Sequence, residues 1–376
     1  MAGRIVIVTG EVSGDIYGGL LASEILRLNP SIRITGVGGE RMRSAGVATF
    51  LDSDDLSVVG FWEAIIRLGR LHRALRAVKR HIDLEKPDLV IFIDYPGMNL
   101  RLAKHAKKRG IRVMYYVSPQ VWAWGRNRVE IIKANVDKMV VILPFEVEFY
   151  KSEGVNVSYV GHPLIDIVKP KLTRERFLET MGFSQSDRLV TLMPGSRPQE
   201  IKNHLDPLLE TAHRLKNGFP ALRFVVVSLP AFREDAAAKA ASSGLDVRVT
   251  SEYGYDALKY SDLAIACSGT ATLEAALLAT PMIVIYKLAL FSWAVGRLIV
   301  KVPYISLANL IAGGEVVPEF LQSAVDPEML AREAGSILGD DARRADMIER
   351  LAEVRRRLGS GGASVRAAEE ALSLMP

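Results

Sequence analysis

Leu263 to Thr280 reads LAIACSGTATLEAALLAT, and the fold class follows from how that run divides. Leu263 to Cys267 is continuously apolar over the length of a strand, Gly269 allows a tight turn, and Ala271 to Leu278 has helix-forming composition. A buried strand, a small-residue loop and a helix start predict an anion site. Unpaired amides and the positive end of the helix dipole face whatever lies above the strand, and Ser268, Thr270 and Thr272 add hydroxyl donors. Glu274 is read in the first turn, beside the predicted phosphate, where a ribose hydroxyl is a fitting partner. The competing account is a capping box that merely ties down the helix start. Register argues against it: with Thr270 as N-cap, Leu273 takes the third helical position, and Glu274 would need Ala271, a poor cap.

The same unit recurs outward in both directions. Upstream of Leu263, strands are predicted at Arg188 to Met193, Arg223 to Ser228 and Val247 to Thr250; downstream, at Met282 to Tyr286. Nearer the N-terminus they are predicted at Ile5 to Thr9, Ile32 to Val37, Asp88 to Ile93, Ile111 to Tyr116, Lys138 to Ile142 and Val155 to Val160, with helices between several of them. Alternation of this kind implies parallel α/β sheets. Gly161 to Thr173, GHPLIDIVKPKLT, has two prolines and little periodicity, which suits a linker. The predicted architecture is therefore two Rossmann-like domains, residues 1–162 and 163–358, facing across a cleft, with ligands at the C-terminal ends of the strands. Residues 359–376 are a final helix that packs back on the first domain or on a partner subunit. The arginine-rich run Ala342 to Leu358 reads as a solvated helix face.

With 376 residues, 49% of them hydrophobic, the chain can bury two cores. Its net charge of +5 favours acidic substrates or an anionic surface but is too small and dispersed to require nucleic acid. A lone cysteine, Cys267, excludes an internal disulfide and reads as core, and no Cys and His cluster calls for a metal. The N-terminus enters a strand directly without the pattern of a signal peptide, so a reducing cytoplasmic setting is expected. Met282 to Val300 approaches the length of a membrane span, but Lys287 and Arg297 interrupt it and it divides into a strand and a helix. The opening loop, Gly10 to Asp15, is bracketed by glycines, with Gly14 allowing close backbone approach. It is not GxGxxG, and a tight turn explains it equally well.

The predicted helix Phe61 to Ile82 has two faces. Ala64, Leu68, Leu71, Leu75, Val78 and Ile82 form one apolar stripe. Trp62 and Ile66 fall opposite, beside Arg70, Arg73, Arg76 and Arg80, a pattern that suits contact with a membrane surface; the alternative is a capping loop or a second subunit over Trp62.

Gly195, Ser196 and Arg197 follow the first strand of the second domain and lead through Pro198 into a helix. A cation at a helix start is unfavourable unless an anion is also there, and a diphosphate would supply it, with Arg197 offering a fork of donors to a departing phosphate. The alternative is Ser196 as N-cap with Gln199 completing a capping box, and Arg197 paired to a surface carboxylate. Asp94 ends an apolar strand at the predicted cleft edge, where a carboxylate can serve as general base; a turn-forming Asp before Tyr95, Pro96 and Gly97 is the rival account. Asp52 to Asp55 contains a DxD pattern and reads as solvated turn. His162 reads as a hinge histidine or a cleft residue, and Tyr115, Tyr116, Trp122 and Trp124 as an acceptor pocket or a core edge.

Taken together, GEVSGD, DYPGMNLRLA, YYVSPQVWAW, PFE, YVGHPL, PGSRPQEI, SGTATLEA, VPYISLANLIA and VVPEFLQ, in this order from residue 10 to about 322, resemble the lipid-A-disaccharide synthase family of GT-B glycosyltransferases. The resemblance implies transfer of 2,3-diacylglucosamine from its UDP donor to 2,3-diacylglucosamine 1-phosphate, with inversion. It implies no cofactor and no metal, and peripheral association with the inner membrane; a homodimer is left open. Asp94 matches the family's catalytic base, Arg197 and Glu274 its UDP-site residues, and Asn309, Glu319 and Gln322 its donor-site segment. Ala308 and Met193 stand where the family pattern has proline and leucine, which affects loop shape more than chemistry. Two other readings share the features: a UDP-sugar 2-epimerase, and a non-catalytic UDP-sugar sensor docked on membranes.

Overall fold

The computed structural model describes residues 3–53, 63–123, 125, 128–288 and 302–376, with the backbone alone at 63–68 and 70. It comprises two compact units, Met1–Pro163 with Leu358–Pro376, and Leu164–Arg357.

The first unit is built on a seven-stranded parallel sheet. Its strands are β1 (Arg4–Val8), β2 (Arg33–Val37), β3 (Ala48–Leu51), β4 (Leu89–Ile93), β5 (Arg112–Tyr116), β6 (Lys138–Val141) and β7 (Val157–Tyr159), in the order β3-β2-β1-β4-β5-β6-β7. β4 is apolar throughout, LVIFI, and wholly buried, because helices cover both faces of a parallel sheet. Leu75, Val78 and Ile82 of the helix Glu63–Glu85 pack into the core with Val90, Phe92, Val113 and Tyr115. Arg73, Arg76 and Arg80 lie on its exposed side.

The second unit has a six-stranded parallel sheet. β8 (Arg188–Met193), β9 (Leu222–Val227), β10 (Val247–Thr250), β11 (Leu263–Cys267), β12 (Met282–Tyr286) and β13 (Glu319–Leu321) run in the order β10-β9-β8-β11-β12-β13. Each sheet therefore reverses direction of growth once, between β1 and β4 and between β8 and β11. Those reversals are where open α/β sheets bind ligands.

Sequence patterning missed β3 and β13. Both are short edge strands, Ala48–Leu51 and Glu319–Leu321, whose residues are only partly buried, so neither has an apolar run to mark it. The opening loop is also shorter than expected. The helix begins at Val12, with Glu11 as an extended N-cap, so Gly14 and Asp15 lie in its first turn rather than in the loop. A side chain at Gly14 would meet the Thr9 hydroxyl at 1.9 Å, and the buried Asp15 carboxylate accepts from the amides of Gly39, Arg41 and Met42.

The segment after Gly161 contains a short helix, Leu164–Ile167. The final helix, Ala363–Ser373, packs along the helix Val12–Leu28 through the buried Ala363, Ala367, Ala368 and Ala371, whose small side chains let the backbones approach. Tyr159 donates to Leu358 O at 2.7 Å, Arg366 Nε to Val160 O at 2.9 Å, and Lys138 pairs with Glu370 at 3.2 Å. Among the described residues no helix is long and apolar enough to cross a membrane.

Candidate functional site

In the second unit, register brings three loop starts level. Ala266 pairs with Met193 and Cys267 with Ile285, so the loops leaving β8, β11 and β12 emerge side by side. The β8 loop turns at Gly195 (φ 122°) and the β11 loop at Gly269 (φ 147°), conformations that favour glycine.

The β8 loop enters the helix Pro198–Gly218 with Arg197, not Ser196, as N-cap, and with Pro198 at the first helical position. Glu200, rather than Gln199, is the tethering acid. Its buried carboxylate accepts from Ser196 N at 3.0 Å, Arg197 N at 3.2 Å and Arg197 Nη1 at 3.2 Å. Glu200 thus holds the loop closed and keeps Arg197 at its rim, where that side chain is 57% exposed. Gln199 instead bonds Asn203 at 2.9 Å. One turn further on, the fully buried His204 donates from Nδ1 to Pro194 O (2.8 Å) and accepts from Lys287 N–H at Nε2 (2.9 Å). That pair of bonds needs the neutral ring, and burial lowers its pKa below the ordinary value.

The β11 loop differs from expectation in register. The helix Thr270–Leu277 is capped by Gly269 rather than Thr270, because Gly269 alone tolerates the turn; Thr272, at the third position, donates its hydroxyl to Gly269 O at 2.8 Å. Ser268 likewise spends its hydroxyl proton on Ile305 O at 2.9 Å. The donors left facing outward are the exposed Thr270 hydroxyl and the first-turn amides of Thr270 and Ala271, which have no acceptor within the helix. Glu274 lies beyond the first turn and takes no part in capping. Tyr255 OH donates to its carboxylate at 3.4 Å, and loss of solvent pushes the carboxyl up to about 7.

Asn309 and Glu319 have their polar atoms committed to main chain and to each other. Asn309, fully buried, accepts from Val316 N and Val317 N and donates to Val317 O and Glu319 Oε1. Glu319 accepts from Ile305 N and Ser306 N at 2.9 and 3.0 Å. The pair braces residues 305–319. Gln322, at φ 54°, has its amide against the main chain of Leu288, donating to the carbonyl at 3.0 Å and accepting from N–H at 3.1 Å in the orientation that satisfies both.

In the first unit, Asp94 and Tyr95 leave β4 at φ 45° and 47°, two consecutive non-glycine residues in the left-handed region, each costing about 1–3 kcal/mol. The surroundings enforce it. Asp94 O accepts from Asn99 Nδ2 (2.8 Å) and Tyr115 OH (2.5 Å), while Asp94 N donates to Tyr116 O and Val117 O. Asn99 and Tyr115 are wholly buried, and Asn99 also bonds Ile93 O at 3.1 Å. These bonds act on the Asp94 main chain and hold the strained turn in place.

The profile of the lipid-A-disaccharide synthetase family matches residues 5–372. A lipid-A-disaccharide synthase of Geobacter sulfurreducens is 42% identical over 373 residues, 99% of this chain and 97% of that protein. One from Myxococcus xanthus is 40% identical over 374 residues, 99% of this chain and 98% of that protein. The chain belongs to the lipid-A-disaccharide synthase family. It is thereby a glycosyltransferase, with a UDP-sugar donor and a glycosyl acceptor as its substrate classes. At the level of fold alone it is similar to a UDP-GlcNAc 2-epimerase from Neisseria meningitidis bound to UDP-GlcNAc (TM-score 0.69, 13% identity, 98% of this chain and 100% of that one). It is similar also to MurG from Acinetobacter baumannii (TM-score 0.61, 13% identity, 99% of each chain).

Several predicted residues of this synthase-family chain are committed to its core or to other side chains. His162 is a core histidine, edge-on to Tyr17 at 6.1 Å, and burial pushes its pKa down to about 3. Tyr115 and Tyr116 are buried core, and Trp122 donates to Glu146 at 3.1 Å. Glu146 also accepts from Leu143 N at 3.2 Å, and its burial raises the carboxyl to about 7. Asp52 pairs with Arg43 at 2.7 Å. Trp62, Asp54, Asp55, Trp124 and the side chains of Ile66 and Arg70 lie outside the described residues, as does the helix predicted after Tyr286 through Val300. Sequence reading missed Glu200 and His204. Glu200 was legible as the acid at the third helical position once Pro198 is taken as the first, and His204 as its neighbour one turn on.

Proposed function

We propose that this chain transfers 2,3-diacylglucosamine from its UDP donor to 2,3-diacylglucosamine 1-phosphate with inversion, forming the β-1,6-linked disaccharide 1-phosphate and UDP. The family match over residues 5–372 is the observation that carries this reading. Asp94 takes the proton of the attacking acceptor hydroxyl as its oxygen bonds the anomeric carbon and the bond to the UDP phosphate breaks. Arg197, the Thr270 hydroxyl and the amides of Thr270 and Ala271 receive the charge that develops on the leaving diphosphate, and Glu274 holds the ribose. These groups of the chain supply the stabilisation the reading needs, so it invokes no metal or cofactor. The exposed Arg73, with Arg76 and Arg80, faces anionic headgroups in this reading. The enzyme then works from the cytoplasmic side of the inner membrane.

Incubation with UDP-diacylglucosamine and the monophosphate acceptor, followed by mass analysis, tests it. A disaccharide monophosphate plus UDP is expected. Consumption of donor without acceptor would instead mark an epimerase, and binding without turnover a sensor.

A further inference from the structure

Lys287 follows β12 and belongs to none of the groups assigned above. Gly269 follows Cys267 at the same remove as Lys287 follows Ile285, and those two strand residues are paired. Lys287 is therefore level with the anion-binding turn of the neighbouring loop. Its side chain is half-buried, and its ammonium makes no ion pair or hydrogen bond to any described residue.

The main chain at this point is held with unusual completeness. Lys287 N–H donates to His204 Nε2 at 2.9 Å, and Lys287 O accepts from Asn203 Nδ2 at 2.9 Å. Leu288 N–H and O are both taken by the Gln322 amide at 3.1 and 3.0 Å. Three side chains from two elements thus satisfy every backbone polar group of two consecutive loop residues, with Gln322 itself in the left-handed region at φ 54°. Loop backbone ordinarily turns such groups to water. Because His204 also bonds Pro194 O, the same clamp locks the β12 exit to the β8 loop that carries Arg197.

We propose that Lys287 is a second cationic contact for the diphosphate of the nucleotide-sugar donor, and that Asn203, His204 and Gln322 are positioning residues that fix where its ammonium emerges. The inference rests on the donor-site reading above and extends it from one cation to two. Arg197 approaches from the β8 side and Lys287 from the β12 side, with the Thr270 helix start between them. Two separated cations with amides between match a diphosphate better than a single phosphate.

Titration calorimetry of the whole chain with UDP and, separately, with uridine tests this. Lys287→Met should weaken UDP binding about tenfold, flatten its dependence on salt, and leave uridine binding at the wild-type value. Lys287→Arg should recover most of the UDP affinity, since it restores the charge on a similar stem. Lys287→Met that binds UDP as tightly as wild type overturns the proposal, and so does equal loss of UDP and uridine, which would mark a structural effect. A wild-type chain that binds no UDP at all would overturn both this inference and the reading beneath it.

Discussion

In the first unit, the loop after β4 presents a carboxylate on strained backbone, gripped from behind by Asn99 and Tyr115. In the second, the loops after β8, β11 and β12 present Arg197, unpaired helix amides and Lys287, gripped by Glu200, His204 and Gln322. Both sets of loops stand at strand ends of parallel sheets that share one pattern of strand order. The fold therefore selects where chemistry is displayed and leaves its sign open. In the proposed reading one unit offers a proton acceptor and the other an anion cradle, a division suited to moving a sugar from a phosphate to a hydroxyl.

If that division is right, removing the proton acceptor should have the largest effect and leave the anion cradle untouched. Asp94→Asn is expected to lower kcat by about 10²–10⁴-fold with UDP affinity unchanged by calorimetry. A variant retaining most of its turnover while folded would return Asp94 to the role of a turn residue.

A smaller effect is expected on the other side. Glu274→Gln should weaken UDP binding by about tenfold, with little change in thermal stability. The pH dependence sharpens this. Burial raises the Glu274 carboxyl to about 7, so the ionised form that accepts best from ribose hydroxyls grows as pH rises through that value. Wild-type UDP affinity should climb from about pH 6 to about pH 8 by more than that of Glu274→Gln, the difference separating this carboxyl from titration of UDP itself. Unaltered affinity with a loosened fold would assign Glu274 a structural role.

Glu146 supplies the contrast of least expected size. It too is raised to about 7 by burial, but Trp122 and Leu143 already occupy it. Its folded pKa lies above the unfolded value, so the folded state keeps a proton that the unfolded chain has released, and the stability this gives is lost as pH rises through about 7. Between about pH 6 and pH 8 the wild type should lose about 1 kcal/mol that Glu146→Gln does not lose, measured by urea unfolding. UDP affinity should not change. A loss of UDP affinity in Glu146→Gln would blur the distinction between the two carboxyls.

Much of this was legible in the chain. Continuous apolar runs such as Leu89–Ile93 and Leu263–Cys267 mark central strands because both faces of a parallel sheet are covered. The edge strands Ala48–Leu51 and Glu319–Leu321 left no such mark. Asp94 and Arg197 were singled out because polar residues directly after a buried strand or at a helix start are exposed by geometry; Glu274 was read in the first turn of its helix, and the cap at Gly269 places it beyond that turn. For Asn309 and Glu319 the sequence does not state what the structure shows: they bond main chain across a loop.

The sequence by itself determined two parallel α/β units and which strand ends carry charge, because periodicity and composition are local and set by burial. Only tertiary structure decided which donors remain available. Ser268 and Thr272 have the same hydroxyl chemistry as Thr270, yet theirs bond the carbonyls of Ile305 and Gly269 while that of Thr270 stays exposed. Whether a polar group serves the fold or a ligand depends on where the nearest acceptor lies, and for Ser268 that acceptor is remote in sequence.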